Sequence, residues 1–398
     1  MPVRLRVWLL SVAVALTLIA GPRAYTVSIT DSGLRSGPRT PDSAHRTPDS
    51  ALCPVAQSSQ SLAALINQCR QGSADAAVAD FAAWPPDRVR PTSEAILSSN
   101  ADAGTLAALV LLHTAAAIER GEFGRGNQPP HADLHYPAAV RAVRLLSARS
   151  TSDPRVRTFC SNWYVLASSM WCAGRHYVTA AQLLRGAKGQ FDGDAEFLLA
   201  AGTAAEMLMG PYESEMEAMA AQSGSRAIPT AGGKWFSGGV LSSDRTDAEA
   251  WLRRAVSLSP GLVEARLRLG RVWCLTDRQA DAIRELERVQ QEGTQAGHPF
   301  ASYLAATFLG QLHQHARRVD AARAAYEAAI AMQPWDRAAR LSLGQMLVVT
   351  GRPDEGWAVV RGIAGAPSTG GDAWSEYRSG QFWQTFDRMS ALAAWVRQ

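Results

Sequence analysis

The stretch HADLH groups His131, Asp133 and His135, the best metal-like cluster in the chain. A zinc site needs three or four nitrogen, sulfur or carboxylate ligands held at fixed spacing, often with two histidines presented by one helical face. HADLH instead ends a Gly/Pro/His-rich segment, EFGRGNQPPHADLH, and offers no obvious third and fourth ligand. It reads as an ordinary solvent-facing loop. A second pair, His313 and His315 in HQH, lies in a helical pattern where His313 fills an apolar packing position at the edge of the core. The dipeptides Trp171-Cys172 and Trp273-Cys274 invite a redox reading. Each cysteine belongs to a different helical segment, however, too far from the other to bridge. The sequence contains no GxSxG, HExxH, phosphate-binding Walker loop or CxxC. Acidic residues on the helical segments sit beside arginines, as in RELERVQQE, which suits surface ion pairs better than acid–base work. No catalytic residue, cofactor site or metal ligand set is assigned, and the chain is expected to be non-enzymatic.

The chain that must position these side chains has 398 residues, 47 % of them hydrophobic, with 40 basic and 36 acidic residues for a formal charge of +4. That length makes two or three ordinary domains or one extended array. A near-balanced charge without a basic block gives no nucleic-acid track. The N-terminus reads as an address: basic MPVRLR, then the apolar run VWLLSVAVALTLIA at 7–20, then Ala24 as a small residue for cleavage. The run is shorter than the ~20 apolar residues of a bilayer span. Residues 1–24 are therefore predicted to be a signal peptide, and the protein to be exported, periplasmic or secreted. It would touch membrane only if residues 7–20 remain uncleaved. Residues 25–60 have no hydrophobic period and repeat RTPDSAH and RTPDSAL at 39–52, the composition of a disordered linker.

An exported chain with five cysteines leaves at least one unpaired. Cys160 and Cys172 on one helix would stand about 18 Å apart, against a bridging limit of about 7 Å. Cys53 and Cys69 remain the most plausible couple, the others being buried thiols.

From about residue 60 helical periodicity dominates and nothing alternates like a strand. SLAALINQCRQG and DAAVADFAAW make a first pair closed by Pro85-Pro86. TLAALVLLHTAAAIERG and PAAVRAVRLLSAR follow. A fixed interval then emerges. Gly310 to Gly344 is 34 positions, Ser168 to Gly202 is 34, and Gly202 to Gly270 is 68. Trp171-Cys172 to Trp273-Cys274 is 102, three times 34.

This period and these residue types resemble the tetratricopeptide repeat, whose pattern runs W-x2-L-G-x2-Y, A-x3-F and P. In the clearest copy Ala306, Leu309, Gly310 and His313 precede Ala322, Tyr326 and Pro334. The next has Arg340, Leu343, Gly344 and Leu347, then Gly356 and Val360. The one before has Arg266, Leu269, Gly270 and Trp273, then Ala282 and Leu286. Tyr164, Ser168 and Trp171 with Ala180 and Leu184 form a weaker copy. In another, Leu198 and Gly202 are parted from Ala248, Leu252 and Pro260 by an insertion at about 210–245. The resemblance implies an all-α solenoid, a right-handed superhelix of stacked hairpins. Degenerate hairpins would occupy 61–159 and the array 160–366. Residues 367–398 would form an irregular lead, with Trp374 and Tyr377 packed on the stack, and a helix capping the last repeat. Trp171, Gly202, Gly270, Trp273, Gly310, Ala322, Tyr326, Pro334 and Gly344 would be its packing positions.

In such solenoids first helices line the concave face. The resemblance therefore implies a lining of Ser169, Arg268, Arg271, Thr307, Gln311, Gln314, His315 and Gln345. Their chemistry suits backbone carbonyls or a terminal carboxylate of an extended peptide. The function implied is a scaffold for a protein or peptide partner, without nucleic acid, cofactor or small-molecule substrate. The alternatives are a structural accessory subunit of a cell-envelope assembly, of pilus, secretion or cytochrome-maturation type, and a metal-dependent hydrolase hidden in residues 60–150.

Overall fold

The computed structural model describes residues 60–124, 133–150, 152–209, 240–295, 298–363 and 373–398. The expected signal segment, all of the linker but Gln60, and almost all of the insertion at 210–245 lie outside these residues. Among the described residues every regular element is helical. Helices α1 (Leu62–Arg70) and α2 (Ala74–Ala82) form the first pair, followed by α3 (Pro86–Leu97). Next come α4 (Ala103–Glu119) with α5 (His135–Arg149), and α6 (Pro154–Ala173) with α7 (Tyr177–Arg185). A single turn, α8 (Lys188–Phe191), leads to α9 (Ala195–Met207), which packs on α10 (Val240–Leu258). The remaining pairs are α11 (Val263–Leu275) with α12 (Gln279–Gln295), α13 (Pro299–His315) with α14 (Val319–Met332), and α15 (Ala338–Val349) with α16 (Pro353–Arg361). The chain ends in α17 (Ala373–Arg378), a 3₁₀ turn (Gly380–Gln384) and α18 (Thr385–Val396).

The same local chemistry turns six of these hairpins. Two residues beyond the first helix, the backbone enters the left-handed region at Gly72, Gly121, Arg175, Asp277, Arg317 and Gly351. The next amide then reaches back five residues: Ser73 to Gln68, Glu122 to Ala117, His176 to Trp171, Arg278 to Trp273, Arg318 to His313 and Arg352 to Leu347, all at 2.8–2.9 Å. This is the Schellman arrangement, which satisfies carbonyls the helix end leaves open. It places Trp171, Trp273, His313 and Leu347 in one structural position. It also supplies the register before residue 160, through Gln68 and Ala117, where motif spacing alone gives none. Helix starts are capped where the sequence offers an acid: Asp102 accepts from the Thr105 amide at 2.6 Å, and Asp194 from the amides of Glu196 and Phe197 at 3.0 and 3.1 Å.

Packing explains the glycines. A Cβ at Gly270 would stand 2.8 Å from Leu286, at Gly310 2.5 Å from Tyr326, and at Gly344 2.5 Å from Val360. Each partner lies 16 positions on (270 to 286, 310 to 326, 344 to 360). At Gly202 the contact is Leu252, again 2.5 Å away and 50 positions on, which is 16 plus one 34-residue period. Only a residue without a side chain allows the two helices of a hairpin this close, and buried Ala282 and Ala322 do the same from the second helix. The chain is thus an all-α solenoid of hairpins packed in the tetratricopeptide manner. Trp171 is buried against Phe123 and Tyr136, with ring centroids 5.0 Å from each. Trp273 is half-buried and donates to Glu249 at 3.1 Å. Pro334 is exposed in the turn before α15, and its carbonyl accepts both Nε and Nη2 of Arg340 at 3.1 Å.

The C-terminal helix does not cap the last repeat. Residues 373–398 run back along the stack: the 3₁₀ turn packs on α6 and α9, and α18 packs on α6, α4 and α1. Trp395 lies 5.0 Å from Phe159, and Tyr177 donates to the Arg378 carbonyl at 3.1 Å. The buried face of α18 is Thr385, Arg388, Leu392 and Val396, and Phe386 is exposed. The physical reason is polarity. Arg388 belongs to that inner stripe and reaches the stack at Asn162 (2.9 Å) and Glu196 (3.0 Å), besides Gln384 of its own segment at 2.6 Å. The last hairpin consequently exposes Leu341, Val349 and Trp357.

Candidate peptide-binding face

The candidate face is built around Glu206, a buried acid near the end of helix α9. Arg268 and Arg271, three apart on α11, share one side of that helix and converge on it. Arg268 Nη1 donates to Glu206 Oε2 at 2.8 Å, and Arg271 Nη1 to Oε1 at 2.5 Å. Glu264, one turn before Arg268, takes its Nε at 2.9 Å. Arg268 and Glu206 are 0 % exposed. Burial works against the Arg268 charge, and Glu264, Tyr377 and Glu206 outweigh it, so its pKa is raised. The cluster balances two guanidiniums against two carboxylates.

The chain's own C-terminal strap completes it. Arg268 Nη2 donates to the Tyr377 carbonyl at 2.7 Å, and the Tyr377 hydroxyl donates to Glu206 at 3.0 Å. The Trp374 and Tyr377 rings stack 5.5 Å apart at 8°, and both meet Phe308 edge-on at 5.8 and 5.7 Å. The guanidinium carbons of Arg271 and Arg268 stand 4.8 Å from the Trp374 centroid and 4.1 Å from that of Tyr377. Burial, then the neighbouring Glu206, pushes the Tyr377 hydroxyl well above its ordinary range. Further along, Gln381 donates to Thr203 at 3.2 Å and Glu264 at 2.8 Å. Upstream, Asp336 accepts the Ala373 amide at 3.0 Å and the Ala338 amide at 2.9 Å, and also takes the Tyr303 hydroxyl. One carboxylate thus starts both α15 and the strap.

The residues expected to line the concave face therefore divide. Arg268, Arg271, Thr307 and Ser169 are buried. Of these, the two arginines lie beneath the strap, while Thr307 and Ser169 donate to their own helix at the carbonyls of Tyr303 (2.9 Å) and Val165 (2.5 Å). Gln311, His315 and Gln345 are exposed, and Gln314 accepts from the Tyr326 hydroxyl at 2.8 Å. The packing of Trp374 and Tyr377 on the stack was legible. Glu206 was not singled out, although an acid closing AEFLLAAGTAAE was the available signal.

HADLH also differs from its reading as a solvent-facing loop. Asp133 is exposed, but His135 opens α5 and is wholly buried; His131 lies outside the described residues. Glu122 holds the start of α5 by accepting the amides of His135 at 3.0 Å and Tyr136 at 2.8 Å. His135 Nδ1 lies 3.1 Å from His113 Nδ1, and His113 Nε2 lies 3.0 Å from Ser93 Oγ. Neither His113 nor Ser93 was expected from motif spacing. The hydrogen-bond directions decide whether this is a nucleophile. His135 Nε2 is buried without a partner, and an orphan N–H is costlier than an orphan lone pair. The favoured chain thus runs from His135 Nδ1–H to His113, and from His113 Nε2–H to Ser93. Ser93 accepts rather than donates, so no base activates it. Burial pushes both imidazoles down: His113 well below its ordinary value, with the neighbouring His135 adding to the effect, and His135 to about 4. No group of three or more metal-ligating side chains occurs among the described residues.

Burial raises the Cys69, Cys160, Cys172 and Cys274 thiols to about 12, and Cys53 lies outside the described residues. Among the described residues no helix is long and apolar enough to cross a membrane.

No family model and no curated protein matches the sequence. Among solved structures the chain is similar to MamA, with 20 % identity over 48 % of this chain and 87 % of that one at a TM-score of 0.33. It is similar to the apo form of RapI, with 9 % identity over 83 % and 87 % at 0.44. It is also similar to yeast Tom70, with 14 % identity over 85 % and 66 % at 0.32. Scores of this size carry no functional information. The assignment of the fold rests on the repeated turns and glycine contacts.

Proposed function

We propose that this chain is an exported, non-enzymatic scaffold that binds a protein through a peptide segment on the inner face of its solenoid. One observation supports this above the others: that face already holds a peptide segment, the chain's own residues 373–398, through side-chain contacts to its backbone and rings. The apolar N-terminal run supports export to the periplasm or medium, and the neutral, unactivated Ser93–His113 pair supports the non-enzymatic reading. In vivo cross-linking followed by mass spectrometry, on the wild-type chain and on Tyr377→Ala, tests the proposal. Partner peptides cross-linked to α9, α11 or α13, and enriched in the variant, are expected. Partners attached only to the outer helices α10, α12 and α14 would contradict it. A single stoichiometric envelope component attached there would favour the structural-subunit alternative. Recovery from the cytoplasmic fraction alone would contradict export.

A further inference from the structure

We infer that the segment this face takes from a partner is aromatic, presenting two rings three residues apart like Trp374 and Tyr377 and no carboxylate to the arginines, and that it binds by displacing the strap. The inference rests on the proposed peptide-binding role and names the chemistry of the partner. Acidic tails are the other obvious ligand of an arginine-lined groove, and the charge arrangement excludes them. Arg268 and Arg271 are already neutralised by Glu206 and Glu264. An incoming carboxylate would lie beside the buried Glu206 with no free cation, a costly placement. What the site leaves to be supplied is specific. Arg268 Nη2 needs a backbone carbonyl, Glu206 Oε1 needs one more donor, and the Phe308 ring and the two guanidinium faces need flat rings. Trp374 and Tyr377 meet each requirement, spaced one helical turn apart in α17 so that their rings stack. Strap and partner then compete for one place, and the strap has the advantage of high effective concentration.

The experiment uses the full chain and three dye-labelled peptides. The first is GDAWSEYRSG, residues 371–380. The second has both aromatics replaced by alanine, and the third has both replaced by glutamate and a free terminal carboxylate. Binding is read by fluorescence anisotropy to the wild type and to a Trp374→Ala/Tyr377→Ala variant; should the double variant not fold, Tyr377→Ala serves in its place. The aromatic peptide is expected to bind the variant at least tenfold tighter than the wild type, and at least tenfold tighter than the alanine peptide binds it. Equal binding of the glutamate peptide would overturn the aromatic preference while leaving the groove a peptide site. Equal binding to wild type and variant would overturn competition by the strap. If no peptide binds either protein, the peptide-binding role itself fails.

Discussion

Removing the Glu206 carboxylate tests the buried cluster where it is most exposed to failure. In Glu206→Leu, Arg268 keeps Glu264 and the Tyr377 carbonyl, but Arg271 loses its ion-pair partner and is left with Tyr377 and the rings of Trp374 and Phe308. Breaking a buried pair by deleting one member costs about 3–5 kcal/mol, because the other charge stays desolvated. That is roughly two to three and a half orders of magnitude in the folding constant. Urea denaturation followed by circular dichroism reads it. A second signature is local: losing the Tyr377–Glu206 contact should loosen the strap, so limited proteolysis after Arg378 should quicken. Adding Arg271→Met to the variant removes the stranded charge and should recover at least about 1 kcal/mol, the coupling expected of groups in direct contact. A loss below about 1 kcal/mol in Glu206→Leu, or strict additivity in the double variant, would refute the view that these groups form one unit.

Four further outcomes are expected. Gly310→Leu would drive a side chain into Tyr326 and should lose about 1–3 kcal/mol by overpacking; an unmoved thermal midpoint would contradict the register. Because the folded state depresses His113 and His135, it resists the protons the unfolded chain takes up. Stability should therefore fall as pH drops below about 6.5 and level off near 4 for His135, a loss on the order of 3 kcal/mol from that residue, and His135→Gln should flatten the slope of denaturation midpoint against pH. Asp336→Ala should cost about 1–3 kcal/mol and raise hydrogen exchange at both Ala338 and Ala373, since one carboxylate caps both helices; exchange altered at one site only would contradict that sharing. Cys69, Cys160 and Cys172 should resist alkylation in the native protein and react at once in denaturant; rapid native labelling would contradict their burial.

The repeat was legible because its cause is local and recurrent. Gly270, Gly310 and Gly344 exist to let a residue 16 positions on approach closely, and such a requirement imprints a spacing. The turns were harder to read, since Arg175, Asp277 and Arg317 hold left-handed backbone without the glycine that signals it at Gly72, Gly121 and Gly351. The strap's destination was not legible. An amphipathic helix states which of its faces is covered, not what covers it, and contacts such as Gln381 to Thr203 join residues 178 positions apart. Arg268 and Arg271 looked like lining for the same reason, their shared partner Glu206 lying on another helix. His135 was hidden by the composition of the loop before it and by a helix start held from Glu122, thirteen positions upstream.

The placement of the C-terminal segment on the inner face can be tested with one new thiol. A Cβ at Gly380 would stand 3.8 Å from Cys172 Cβ and 4.0 Å from its Sγ, within the span of a disulfide. Gly380→Cys, treated with a mild oxidant and mapped by mass spectrometry, should yield an intramolecular bond between position 380 and Cys172 in most molecules. A thiol at 380 that stays free, or that pairs between chains while Cys172 remains reduced, in a variant whose denaturation midpoint matches the wild type, would contradict the placement of the segment.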